Sequence, residues 1–208
     1  GGRLEARPTC RYNSPMPLLK RPVILASGSP YRAQILREAG VAFTVQVSNV
    51  DEDLHPLDKP EPYCRTLAAR KAMAVVPNVP RECIVIAADT VCAIGDEIIG
   101  KPRDPADAQR MIERACATGM QRVITGVCVV DASDLTTISF TETSLVDMKP
   151  ASKEAIAAYV ASGDPMGKCG ALSIETGGDF VRAWKGSYAN IMGLPIERLI
   201  PVLVRMDA

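Results

Sequence analysis

The chain has no excess of either charge. Its 24 basic and 24 acidic side chains cancel over 208 residues, so no global field favours DNA, RNA or a membrane surface. Any basic chemistry must be local. No apolar run approaches the roughly 18 residues that a bilayer span needs, and no basic leader precedes a short apolar stretch. A cytoplasmic protein with no membrane partner is the expectation. Histidine is almost missing: His55 is the one copy. It stands beside Pro56 in a polar connection and reads as solvated, which leaves His-based nucleophilic catalysis without its base. The seven cysteines are an odd number and include no C-x-x-C pair. Cys83, Cys92, Cys116 and Cys128 lie among apolar residues and read as small buried hydrophobes in a reducing compartment, not as a disulfide frame or zinc site.

What is present suffices for one substantial domain. Residues 47% apolar supply a core. Residues 1–20 are Pro-, Arg- and Ser-bearing without periodicity, and are expected to be disordered. Met16-Pro17 looks like a natural start, so residues 1–15 are expected to be an alternative-start extension or a cloning remnant. Residues 21–208 form a single domain, with no repeat or linker. Strands are expected at 23–26, 43–47 and 83–88, then a hairpin from Val91 to Ile99 around Gly95-Asp96. Two longer strands follow at 122–130 and 136–148, with a last one at 180–184. Helices are expected after Pro30, over 61–76, 105–117 and 151–161, and from Ile196 to Val204. Strands and helices alternate at both ends around a β-rich centre, which makes the fold α/β with a mixed sheet.

The stretch Ile24-Leu-Ala-Ser-Gly-Ser-Pro-Tyr-Arg32 is the most informative. A buried strand breaks into Ser-Gly-Ser. Ser29 then suits the N-cap of a helix, Pro30 its first position and Gly40 its stop. Free N–H groups and the positive end of the helix dipole make such a turn an anion site. The apolar run 83–88 delivers Asp89-Thr90 at its end, and ligand sites in such sheets lie at strand ends, where Ser27 also falls. A carboxylate there is costly unless it is paired or binds a metal. Alone, each group has a plain alternative: Asp89 as the cap of a turn, Glu52 as part of a solvated acidic turn, Lys71 and Lys101 as surface lysines. Together, two carboxylates for a hard cation and Arg32, two lysines and a backbone nest for polyphosphate suggest phosphoryl chemistry by positioning and charge neutralisation.

In order along the chain stand Leu25-Ala-Ser-Gly-Ser-Pro-Tyr-Arg32, Val50-Asp-Glu52, Arg70-Lys-Ala72, Ala88-Asp-Thr-Val91, Gly100-Lys-Pro102, Thr125-Gly126, Tyr159 through Gly170, and Gly193-Leu-Pro195. This ordered set resembles the Maf-like nucleotide pyrophosphatases. The resemblance implies an elongated, two-lobed mixed-sheet fold similar to inosine-triphosphate pyrophosphatases, with a cleft between the lobes and a homodimer as an expected assembly. It implies hydrolysis of a nucleoside triphosphate to the monophosphate and pyrophosphate with a divalent cation, Mg or Mn. Ser27 and Arg32 would contact the triphosphate, and Glu52 and Asp89 would hold the metal. Lys71 and Lys101 would neutralise phosphate, and Asp89 would act on the attacking water or its metal.

Departures from the family pattern bear on the substrate. Tyr31 replaces a common Arg, and Glu175 replaces the Gln of a Gly-Ile-Gln motif. An aromatic and a Glu at these places resemble the 7-methyl-GTP pyrophosphatases. A carboxylate accepts from guanine N1–H and N2–H, and an aromatic ring stacks on a base, more strongly on a cationic one. Thr90 points the other way, because Asp-Thr is typical of pyrimidine-preferring members. Gly167 stands where an Asp often precedes the Lys (here Lys168), and Gln121-Arg122 replaces a commonly His-containing segment. The expectation is 7-methyl-GTP, with dTTP/UTP hydrolysis or a non-catalytic nucleotide-binding regulator of cell division as the alternatives.

Overall fold

Val-, Ile- and Ala-rich runs make strands when both faces are to be covered, and this chain builds a seven-stranded sheet from them. The computed structural model describes residues 18–51 and 59–208, so residues 1–17, Glu52 and His55 lie outside the described residues. The strands are β1 (Val23–Leu25), β2 (Thr44–Val45), β3 (Ile84–Ile94), β4 (Glu97–Ile99), β5 (Met120–Asp131), β6 (Thr137–Met148) and β7 (Val181–Lys185). Their order is β2-β1-β3-β5-β6-β7, with β4 also on β3. The β1 strand runs parallel to β2 and β3, and all other pairs are antiparallel. The mixed sheet is as expected.

Three helices cover the sheet near β1. On one face, α1 (Pro30–Glu38) and α6 (Ile196–Met206) bury Leu36 and Leu199 against Ile84, Ile86 and Val127. On the other, α2 (Pro60–Val75) buries Ala68 and Ala72 against Val85, Ala87 and Cys128. Gly126 lets α2 come this close: a Cβ there would sit 2.3 Å from the Cys64 carbonyl carbon. A second core surrounds Cys92, Val123 and Val146 farther along the same strands, under α3 (Pro105–Thr118), α4 (Lys153–Ala161) and β7. Two lobes thus share the long strands.

The sheet has a gap between the lobes. One edge of β3 pairs with β1 through Leu25↔Ile86, and β4 rejoins that edge at Cys92↔Ile99. The other edge is occupied throughout by β5. Among the described residues, 87–91 of β3 therefore have no strand neighbour on the β1 side. The strand also corrects an expectation: it does not end at Asp89 but carries it in mid-run. A carboxyl side chain is accommodated there because it is paired, as shown below. Other differences are local. The β2 strand is two residues long, and a four-residue helix, α5 (Tyr188–Ile191), was not anticipated; the Ser187 side chain caps it. Lys20, expected to be disordered, is tied down, its N–H donating to the Asp207 carboxylate at 2.8 Å.

Candidate active site

The gap opens into a cleft of about 680 Å³. Its first wall is the turn after β1. Ser29 caps α1 by accepting from Arg32 N, Pro30 takes the first turn, and Ser27 Oγ accepts from Ser29 N at 3.3 Å. This geometry points helix N–H groups and Arg32 to one side, as anion binding requires.

Arg32 is held by three elements at once. Its Nε donates to Gly193 O (2.9 Å), one terminal nitrogen to Ser27 Oγ (3.0 Å) and the other to Thr90 Oγ1 (3.0 Å). Thr90 Oγ1 in turn lies 2.9 Å from Thr125 Oγ1, which donates to Asn190 O at 3.3 Å. The chain Arg32–Thr90–Thr125 locks a planar cation against a buried hydroxyl ladder. Behind it, Asn190 is fully buried; its Nδ2 donates to Val123 O and Ser144 Oγ, both at 3.0 Å.

Alternation places Asp89 on the opposite face of β3 from Thr90, toward α2. There Lys71 Nζ donates to Asp89 Oδ1 at 2.7 Å, with both residues buried. The pair borders the cleft through the open edge of β3. Lys101, just beyond β4, also lines the cleft, as does Lys168 across from it. Lys168 bonds Asp164 at 2.6 Å. Burial alone would raise the Asp164 pKa, but hydrogen bonds from Lys168, Thr176 and Tyr159 win and hold it at about 2.

The structure thus brings Ser27, Tyr31, Arg32, Lys71, Asp89, Thr90 and Lys101 to one cleft. Glu52 lies outside the described residues. Glu175 does not line the cleft: Ser173 and Ile174 beside it do, and its own N–H is turned to Ser173 Oγ. Asp89 is the one carboxylate among the described lining residues, and they contain no group of three metal-ligating side chains. Magnesium takes one or two carboxylates and completes its shell from water and phosphate, so this sparse set fits a cation that shares its shell with a polyphosphate.

Sequence reasoning assigned no role to Thr125, Asn190, Gly193 or Gln121. Thr125 and Gly193 stood in the ordered motifs and Gln121 among the departures, and Thr125 and Gln121 also share one face of β5, as inward-facing residues do. Among the described residues the six cysteines carry free thiols, five of them buried, as expected. Burial pushes the Cys64 thiol up to about 12, with the nearby Asp89 charge acting in the same direction. No helix among the described residues is long and apolar enough to cross a membrane.

A relative from Salinibacter ruber, named dTTP/UTP pyrophosphatase, is 41% identical over 192 residues, covering 91% of this chain and 93% of the relative. One of the same name from Symbiobacterium thermophilum is 39% identical over 184 residues, covering 88% and 93%. Among solved structures, the Staphylococcus aureus Ham1 protein is 14% identical, covers 89% of this chain and 99% of its own, and has a TM-score of 0.49. The family model described as Maf-like protein matches residues 22–206, and the chain belongs to that family.

Proposed function

We propose that this protein hydrolyses a nucleoside triphosphate to the monophosphate and pyrophosphate, with dTTP and UTP as preferred substrates. The observation that carries the reading is the convergence of Arg32, Lys71, Lys101 and Asp89 on one cleft at a gap in the sheet, in a chain whose dTTP/UTP-named relatives align over about nine-tenths of it. The α1 N-terminus and Arg32 bind phosphate oxygens, and the lysines neutralise the charge that accumulates on the leaving pyrophosphate. Asp89 orients the attacking water and takes its proton.

A divalent cation, Mg or Mn, belongs to this proposal. Asp89 would hold it, together with Glu52, and when bound it would supply charge neutralisation on the phosphate oxygens. The reading places the protein in the cytoplasm with the nucleotide pool, without nucleic-acid partners, and allows a homodimer.

The 7-methyl-GTP expectation gives way here. The relatives' printed names favour pyrimidines. The test is pyrophosphate release by purified protein with Mg or Mn across a nucleotide panel. The expected kcat/KM for dTTP and UTP exceeds that for 7-methyl-GTP by about tenfold or more, one differential hydrogen bond. Preference for 7-methyl-GTP would overturn the substrate, and release from no nucleotide would turn the reading to a non-catalytic regulator.

A further inference from the structure

The far end of the cleft holds a polar group that the phosphate chemistry does not use. Gln121 near the start of β5 is only 4% exposed, yet it borders the cleft. Its Nε2 donates weakly to Met148 Sδ at 3.7 Å, and among the described residues no other hydrogen bond reaches its carboxamide. Burying an amide on a thioether alone is unfavourable, because sulfur is a weak acceptor. The walls around it are apolar: Val123, Val146, Leu172 and Val181.

We propose that Gln121 reads the hydrogen-bonding edge of the substrate's base, and that the base is uracil or thymine. The inference rests on the pyrophosphatase reading above and specifies which atoms select the nucleotide. Gln121 and Thr125 lie on the same face of β5, four residues apart, which a strand's rise makes about 14 Å. Thr125 marks the arginine end of the cleft, so Gln121 stands where the base of a triphosphate anchored there arrives. Nε2 faces the Met148 sulfur, and Oε1, on the Gly170 side, is left as an acceptor beside a second N–H. Uracil and thymine present the complement, an N3–H donor next to a carbonyl acceptor. Cytosine offers an acceptor at N3, so two lone pairs would meet. Gly170 roofs this end closely; a Cβ on it would lie 3.0 Å from Cys92 Sγ and 3.4 Å from Gln121 Oε1. The low roof suits a single ring better than a purine. Guanine presents the same pair at N1–H and O6, so the amide separates uracil and thymine from cytosine while the roof turns the larger guanine away.

The experiment measures kcat/KM for dTTP, UTP, CTP and GTP with wild-type protein and with Gln121→Met, whose flexible thioether fills the same space. N3-methyl-UTP, which lacks the N3–H, is run on both proteins. Gln121→Met is expected to lower kcat/KM for dTTP and UTP by about 10- to 100-fold, mostly through KM, with CTP and GTP changed by about threefold or less. Wild-type protein is expected to discriminate against N3-methyl-UTP by a similar factor, and the variant to show little of that discrimination. The N3-methyl comparison on wild-type protein needs no variant to fold, and Gln121→Glu, which keeps the shape, provides a second substitution with the same expected loss. If wild-type protein prefers dTTP and UTP but either variant keeps the preference, or if N3-methyl-UTP is turned over as well as UTP, the role of Gln121 is overturned while the pyrophosphatase reading stands. If wild-type protein shows no preference for uracil and thymine nucleotides, the substrate reading and this inference fall together.

Discussion

Lys71 Nζ and Asp89 Oδ1 lie 2.7 Å apart in the middle of the molecule, with side chains only 8% and 10% exposed. A buried ion pair contributes little net stability, since desolvation offsets attraction, but removing one partner strands the other. Catalysis and stability therefore separate in a defined way. Asp89→Asn keeps an oxygen for Lys71, so the protein still folds, while pyrophosphate release falls by about 100-fold or more with the proton acceptor gone. Lys71→Met leaves a bare carboxylate and is expected to cost about 3–5 kcal/mol. The double variant Lys71→Met/Asp89→Leu recovers most of that stability in urea titrations and stays inactive. A double variant no more stable than Lys71→Met would show that the pair is not the reason for the loss.

Arg32 is aligned by hydroxyls rather than by a carboxylate. Thr125 is fully buried and is not among the residues that line the cleft, so any effect it has on turnover passes through Thr90 and Arg32. Thr125→Val removes one neutral hydrogen bond, worth about 1 kcal/mol, and lets the guanidinium drift. The expected result is a KM for the nucleotide raised about fivefold with a smaller change in kcat, and restoration by Thr125→Ser. Equal stability loss in both variants, without the KM difference, would reduce Thr125 to a packing residue.

Much of this arrangement was legible in the sequence. Ser29, Pro30 and Gly40 marked α1 because capping and the φ of proline are local properties, and the apolar run from Cys83 marked β3. The end of β3 was misplaced because local reasoning treats an aspartate as a strand breaker. It cannot see a lysine eighteen positions earlier arriving on α2. The base-side residues were hidden for the same reason: Gln121, Gly170 and Val181 meet only through β-pairing and the turn over Cys92.

Acid should loosen the chain at named carboxylates. Arg21 bonds Asp131 bidentately, and that hydrogen-bonded contact outweighs burial and holds the Asp131 carboxyl well below the usual carboxylate range. Asp164 is held at about 2. Both folded-state values lie under the unfolded value near 3.9, so their stabilisation is fully present above about pH 4. It is lost as pH falls toward 2. Urea midpoints are expected to be flat from about pH 5 to 8 and to drop steeply below about 4. Asp131→Asn should lower the plateau by about 2 kcal/mol, as for a hydrogen bond to a charged group, and flatten the acid slope. An unchanged slope would remove Asp131 from this account.

The position of Lys71 depends on a glycine on another strand. Gly126 lies under α2 where a Cβ would be 2.3 Å from the Cys64 carbonyl carbon, 2.4 Å from its oxygen and 2.5 Å from Arg65 N. All three are backbone atoms, so no rotamer change relieves the clash and the helix itself must move. Gly126→Ala is thus expected to destabilise by about 3 kcal/mol, at the upper end for overpacking, and to lower Tm by about 6–12 °C in a chain of this length. Because α2 carries Lys71, the same shift pulls its Nζ from Asp89, and turnover should fall with stability even at temperatures where the variant is folded. Gly178→Ala is the control, since nothing lies within 4 Å of a Cβ there; its Tm should stay within about 2 °C, as for a surface substitution. If Gly126→Ala folds with unchanged Tm and turnover, the close seating of α2 on β5 does not set the lysine's place in the cleft.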